Sequence, residues 1–177
     1  SNCDNIVNMN EFQKIEYIDA MYNTFDLALD LNYVDNLKLK IHIAYGILSV
    51  NEEGDYILEY VKKVNQEIQD NKIVEGLILP KGSLYEEYSD SNFQKNFTSK
   101  EGDKVSITWK DIVHVVNLDR RDCSVMETSG VVYRVYNDFI LIKNPDTVRT
   151  HPLPIQSHPS DKPKFYVIPK SFILSLK

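Results

Sequence analysis

Apolar positions recur at two different spacings along the 177-residue chain, and the change from one to the other divides it. In "EFQKIEYIDAMYNTFDLALDL", Phe12, Ile15, Ile18, Tyr22, Phe25 and Leu29 stand at the spacings of one helical face, and Asn10 is placed to cap the amides of a first turn. In "YVDNLKLKIHIAYGILSV", Val34, Leu37, Ile41, Ala44 and Leu48 fall on a second helical face. Leu37, Leu39, Ile41 and Ile43 also alternate as a strand would, but the continuation to Leu48 favours helix. After the turn "NEEGD", Ile57, Val61, Val64 and Ile68 repeat the helical pattern. Three such faces joined by short connectors predict a small helical bundle or hairpin array.

From Ile73 the texture changes. "IVEGLILPKG" is a short apolar run closed by Pro80 and Gly82, which suits a strand and a loop, and "SLYEEYSDSNFQKNF" reads as a short helix capped at Ser83 or an ordered excursion. Strand signals follow in "KVSITW", "DIVHVVNL", "SVMET", "VVYRVY", "FILIKN" and "KFYVIP", with tight turns expected at Ser129-Gly130 and Asn137-Asp138. A meander of about five short antiparallel strands results, and it avoids open edges by curling into a barrel or by pairing with another chain.

The expected fold class is therefore α+β: a three-helix unit over residues 8–75, a connecting strand and loop over 76–96, and a small β-barrel or curled antiparallel sheet over 97–177. The run "SGVVYRVYNDFILIKNP", followed by "YVIPKSFI", resembles the closing half of a small barrel of the SH3, Sm or PRC type. That resemblance covers about 45 residues, rests on hydrophobic rhythm, and implies an architecture and no function.

Six of the seven prolines lie between Pro145 and Pro169, so residues 144–163 predict a long, stiffened loop presenting Leu153 and Ile155 to a partner or to its own domain. His151 and His158 share this loop, but two imidazoles are too few for a zinc site, and only Asp146 and Asp161 stand near them. No metal or other cofactor is expected.

Charge sharpens the division. The formal net charge is −6, with 14 acids against 6 bases over residues 1–78 and 12 against 14 over 79–177. An acidic first part argues against nucleic-acid binding by the whole chain. Arg120, Arg121 and Arg134 with Tyr133 and Tyr136 could still form a basic, aromatic patch for single strands, although Asp119, Asp122 and Asp138 interleave with the bases. No apolar run approaches the roughly 18–20 residues that span a bilayer, so membrane insertion is not expected. Two cysteines, Cys3 and Cys123, build no disulfide framework and point to a cytoplasmic setting, with an exported or anchored form as the alternative if the native chain extends upstream of Cys3.

Catalytic signatures are weak. Cys123 with His114 and Asp111 or Asp119 is a bare juxtaposition in sequence, and Glu52/Glu53 and Glu86/Glu87 read as solvated surface pairs. No phosphate-cradling glycine loop, HExxH, GxSxG or EF-hand pattern is present. With 11 tyrosines, the expected function is a non-enzymatic protein-interaction or assembly module that binds a protein partner or itself. Single-stranded nucleic-acid binding is the alternative, and a metal- or cysteine-dependent hydrolase ranks last.

Overall fold

The computed structural model describes residues 11–23, 30–63, 72–88, 90, 97–116, 120–156 and 163–177, and it overturns the helical reading of the first part. Where three helices were expected, the chain forms β1 (Phe12–Tyr17), β2 (Met21–Asn23), a five-residue helix α1 (Leu31–Asp35), β3 (His42–Val50) and β4 (Tyr56–Lys63). Phe25, Leu29, Val64 and Ile68 lie outside the described residues.

The misreading has a physical source. A separation of four is common to both periods, so Ala44 and Leu48 share a face in a strand as they would in a helix. The residues between them decide: Ile43, Tyr45 and Ile47 are exposed while Gly46 and Leu48 are buried, an alternation only a strand produces. β-Branched and aromatic side chains favour this outcome. Gly46 favours it too, because a Cβ there would stand 2.4 Å from the carbonyl oxygen of Glu59 on the neighbouring strand.

The remaining elements are β5 (Lys72–Leu79), β6 (Lys104–Asp111), β7 (Val113–Val116), β8 (Ser124–Val135), β9 (Phe139–His151), β10 (Ile155–Gln156), β11 (Phe165–Pro169), a 3-10 turn at Lys170–Phe172 and β12 (Ile173–Leu176). They complete two antiparallel sheets in place of one helical unit and one small barrel. The first sheet runs β1-β3-β4-β5-β7, and the second runs β12-β6-β8-β9-β11-β2 with β10 added to β9. The SH3-like analogy fails with the barrel: the segments that suggested it are inner strands of an open sheet whose path ends at β12 and β2.

Two further expectations are corrected. No turn interrupts β8 at Ser129-Gly130; the strand bulges there, and Gly130 admits the close approach of Ile142 on β9. The proline-rich segment is shorter as a loop than expected, because β9 continues through Pro145 to His151 and β10 folds back onto it at Ile155↔Arg149.

The main core lies on the second sheet, where Ile107, Trp109, Ile140, Ile142 and Phe165 are fully enclosed. Trp109 donates its indole N–H to Thr128 Oγ1 at 2.9 Å, and Thr128 is in turn bonded to Thr147, so the buried polar atoms satisfy one another. A second core joins Ile15, Leu48, Leu58, Leu79 and Leu84 on the first sheet. Ile112 packs against both cores, at the point where the chain leaves β6 in one sheet to enter β7 in the other. Among the described residues no helix is long and apolar enough to cross a membrane.

Candidate functional site

Three of the residues singled out in the sequence meet at the corner where β7 returns to β8. Asp122 Oδ2 lies 2.6 Å from His151 Nε2, because the pairing of Val125 with His151 brings the end of β9 beside the start of β8. Arg120 reaches the backbone oxygen of Asp122 at 3.0 Å and its carboxylate at 3.4 Å. The bond from His151 is the main reason the Asp122 carboxyl is held below its ordinary range, and Arg120 adds to it. Asn51, in the β3–β4 turn, donates its side-chain amide to the Arg121 carbonyl at 2.9 Å. An open pocket of about 630 Å³ results, walled by Glu52 and Glu53 on one side and by Arg120 and Arg121 on the other.

Leu153 and Ile155 follow this corner, and both are exposed; Arg149 fixes the bend by donating Nε–H to the Leu153 carbonyl at 3.0 Å. His158 lies outside the described residues. Among the described residues no group of three or more His, Cys, Asp and Glu side chains could hold a metal ion.

The other binding residues stand elsewhere. Tyr133 and Arg134 lie at the far end of β8 and Tyr136 just beyond it, whereas Arg120 precedes its start. Arg134 is paired with Asp35 and lies 3.7 Å from Glu101. Tyr133 packs edge-on against Phe165, while Tyr136 stacks on Phe139 and donates its hydroxyl to the Val34 carbonyl at 2.7 Å. The arginines and tyrosines therefore do not form one patch.

Nor do Cys123 and His114 face one another. Cys123 is buried against Ile78 and Val115, and burial pushes its thiol far above the ordinary range. His114 neighbours Val115 on β7 and so projects from the opposite face, where its Nε2 lies 3.1 Å from the Tyr60 hydroxyl. The glutamate pairs are not simple surface charges either. Glu53 binds Lys110 at 2.7 Å, and Glu87 accepts the Tyr56 hydroxyl at 2.5 Å while burial raises its carboxyl.

Two arrangements are absent from the sequence reading. Asp19 and Asp111 flank the corner residues Ile18 and Ile112, and one oxygen of Asp19 is buried without a partner. Burial raises Asp19 to about 6; burial and then the charge of Asp19 raise Asp111 to about 7. The Tyr166 hydroxyl is pushed up beside them, again by burial first.

The second is an apolar face on the first sheet. Phe12 stands opposite Ile47, Lys14 opposite Tyr45, and Glu16 opposite Ile43, so these side chains share one side of β1 and β3. Phe12 is 65% exposed, Tyr45 55%, Ile43 53% and Ile47 42%. The strand-like alternation at Ile41 and Ile43 was the available signal for it.

Comparison with protein-family models, with curated proteins and with solved structures gives no match.

Proposed function

We propose that this chain is a protein-interaction or assembly module that docks through the outer face of β1 and β3. The observation that carries the reading is the contiguity of Phe12, Ile47, Tyr45 and Ile43, four large apolar side chains left in water on adjacent strands. Scattered exposed apolar residues are ordinary, but a contiguous patch with aromatic members is the composition of an interface centre. β1 also ends the first sheet; its outer edge is closed at one end, where Tyr17 bridges Leu84 and the Glu16 carbonyl accepts the Tyr85 amide, and among the described residues no strand pairs with the Phe12–Ile15 end beside the patch.

The charges on β1 favour a second copy as the occupant. Lys14 and Glu16 alternate on the same face and already approach to 3.4 Å within one chain. Two β1 strands related by a two-fold axis would set each Lys14 opposite a Glu16 of the other copy while joining the apolar side chains. Light scattering over a wide concentration range, combined with a photo-crosslinker at position 45, tests this. Concentration-dependent dimers and crosslinks, both lost in Phe12→Asp, are expected. A strict monomer without crosslinks overturns the reading.

A nucleic-acid reading has no comparable support, since Arg120 and Arg134 are both engaged by carboxylates at opposite ends of β8. Salt-dependent anisotropy with labelled single strands would reveal it.

A further inference from the structure

A different cleft opens where the α1–β3 connector, the turn after β5 and the β8–β9 hairpin meet. It has a volume of about 800 Å³, within the range of small-molecule sites. Tyr85, Tyr88, Tyr136 and Phe139 supply its aromatic lining. These rings are held in place. Tyr136 lies stacked on Phe139 with centroids 4.1 Å apart, and its hydroxyl is already spent on Val34. On the facing side the Tyr85 amide donates to the Glu16 carbonyl at 2.9 Å, the Tyr88 amide to the Leu84 carbonyl at 3.0 Å, and the two rings stand 6.0 Å apart.

The polar groups at the cleft are unspent. Among the described residues, the hydroxyls of Tyr85 and Tyr88, the amide of Asn137 and the ammonium of Lys38 make no hydrogen bond or ion pair. Asp138 bonds only its own backbone amide, and its carboxyl is raised by burial. Aromatic faces thus stand beside donors and acceptors of both kinds, and the lining carries one cation and one anion, with Lys170 near enough to Asp138 to act on its charge.

On the hairpin side of the cleft the backbone is spent instead. Tyr136 N–H donates to the Phe139 carbonyl, and Lys170 N–H to the Asp138 carbonyl, both at 2.9 Å. The β8–β9 hairpin offers a peptide no open strand edge, and the lining's own charges, Lys38 and Asp138, are opposite in sign. A pyranose ring offers what the lining asks for: an apolar C–H face to lie on a tyrosine, and hydroxyls that each donate and accept at its rim. We propose that this cleft binds a neutral carbohydrate, with Tyr85 as the stacking platform and Asn137 and Asp138 as hydroxyl partners. Its lining side chains are distinct from those of the assembly face, although the Glu16 carbonyl of β1 anchors the Tyr85 amide.

Native affinity electrophoresis of the full chain in gels containing soluble β-glucan, xyloglucan, galactomannan or starch tests the proposal, with calorimetry on oligosaccharides of any retaining polymer. Retardation by at least one polymer is expected. Tyr85→Ala should weaken binding by about tenfold or more, a loss of ordinary size for one buried contact. Tyr85 is 46% exposed, so this variant should keep the parent melting temperature. Asn137→Ala should weaken binding in the same direction, and Phe12→Asp should leave it unchanged. Absence of retardation in every gel, or retardation indifferent to both Tyr85→Ala and Asn137→Ala, overturns the proposal. So would a Tyr85-dependent binder selected from a peptide library without any sugar binding, which would assign the cleft to peptides.

Discussion

Lys110 Nζ lies 2.6 Å from Asp55 Oδ2, so a β6 side chain of the second sheet is tied to the β3–β4 turn of the first. Asp55 is buried, and its other oxygen accepts the Lys81 amide at 2.9 Å. Burial pulls the Lys110 ammonium down, but the bonds from Asp55 and Glu53 outweigh it and hold it above its ordinary value. Asp55→Asn keeps the shape and removes the charge, leaving a largely enclosed ammonium with Glu53 alone. The expected destabilisation is about 2–4 kcal/mol, somewhat below the ~3–5 kcal/mol of a fully buried pair because Lys110 keeps Glu53 and some contact with water. Glu53 is 57% exposed, so Glu53→Gln should cost less than about 1 kcal/mol. Urea unfolding of the two variants checks the ranking, and equal losses would contradict it.

A second prediction concerns pH. Asp111 sits near 7 in the folded chain because burial, and then the charge of Asp19, disfavour its ionised form. Unfolded, it would titrate near the ordinary value of about 3.9. The folded state therefore holds the extra proton between these values. Its stabilisation is fully present below the unfolded value and is lost as pH rises through about 7. Asp111→Asn removes that loss and keeps an oxygen to accept the Ile112 amide, which Asp111 now does at 2.9 Å. The variant should be more stable than the parent at pH 8, by on the order of 2–4 kcal/mol at ~1.4 kcal/mol per unit of displacement. The difference should shrink towards pH 4. Melting curves across this range decide it, and a pH-independent difference would contradict the assignment.

These two sites show what sequence reading reached. The strands of the second part were legible because "KVSITW", "FILIKN" and "KFYVIP" carry β-branched and aromatic residues between turn signals, and they occur as β6, β9 and β11. The first part was misread where spacings of three and four satisfied both periods, as at Ala44 and Leu48. The corner contacts were beyond any local pattern: Asp55 and Lys110 are 55 positions apart, and Asp122 and His151 are 29. Arg120 and His151 were named for different reasons and meet only because Val125 pairs with His151. The exposed apolar face of β1 and β3 was hidden by the helical reading, which placed Phe12 and Ile15 on one side; in β1 they point to opposite sides.

Gly130 gives a third prediction, because its role differs from the turn read in the sequence. A Cβ there would stand 2.4 Å from Ile142 Cγ2 and 3.0 Å from the Lys143 carbonyl oxygen. Ile142 is fully buried and cannot swing away without disturbing the main core. Gly130→Ala should therefore destabilise the chain by about 1–3 kcal/mol, the usual scale of overpacking. A shift in the urea midpoint with an unchanged slope is the expected signature. An alanine that left the midpoint unchanged would show that the β8–β9 bulge can widen to admit a methyl group.

The buried thiol supplies the last. Cys123 packs against Ile78 and Val115, and burial, followed by the charge of Asp55, pushes its ionisation well above that of a free cysteine. Only the thiolate reacts with a disulfide reagent such as dithiobis(nitrobenzoate), so both access and ionisation oppose the reaction in the folded state. In a Cys3→Ser chain, native protein near neutral pH should label no faster than it opens, and urea should release prompt labelling of one thiol. Asp55→Asn loosens the corner beside Cys123 and, provided opening and reclosing are fast, should accelerate native labelling about tenfold for each ~1.4 kcal/mol of stability it loses. Prompt labelling of the native Cys3→Ser chain would show that Cys123 is accessible and would reopen it as a nucleophile.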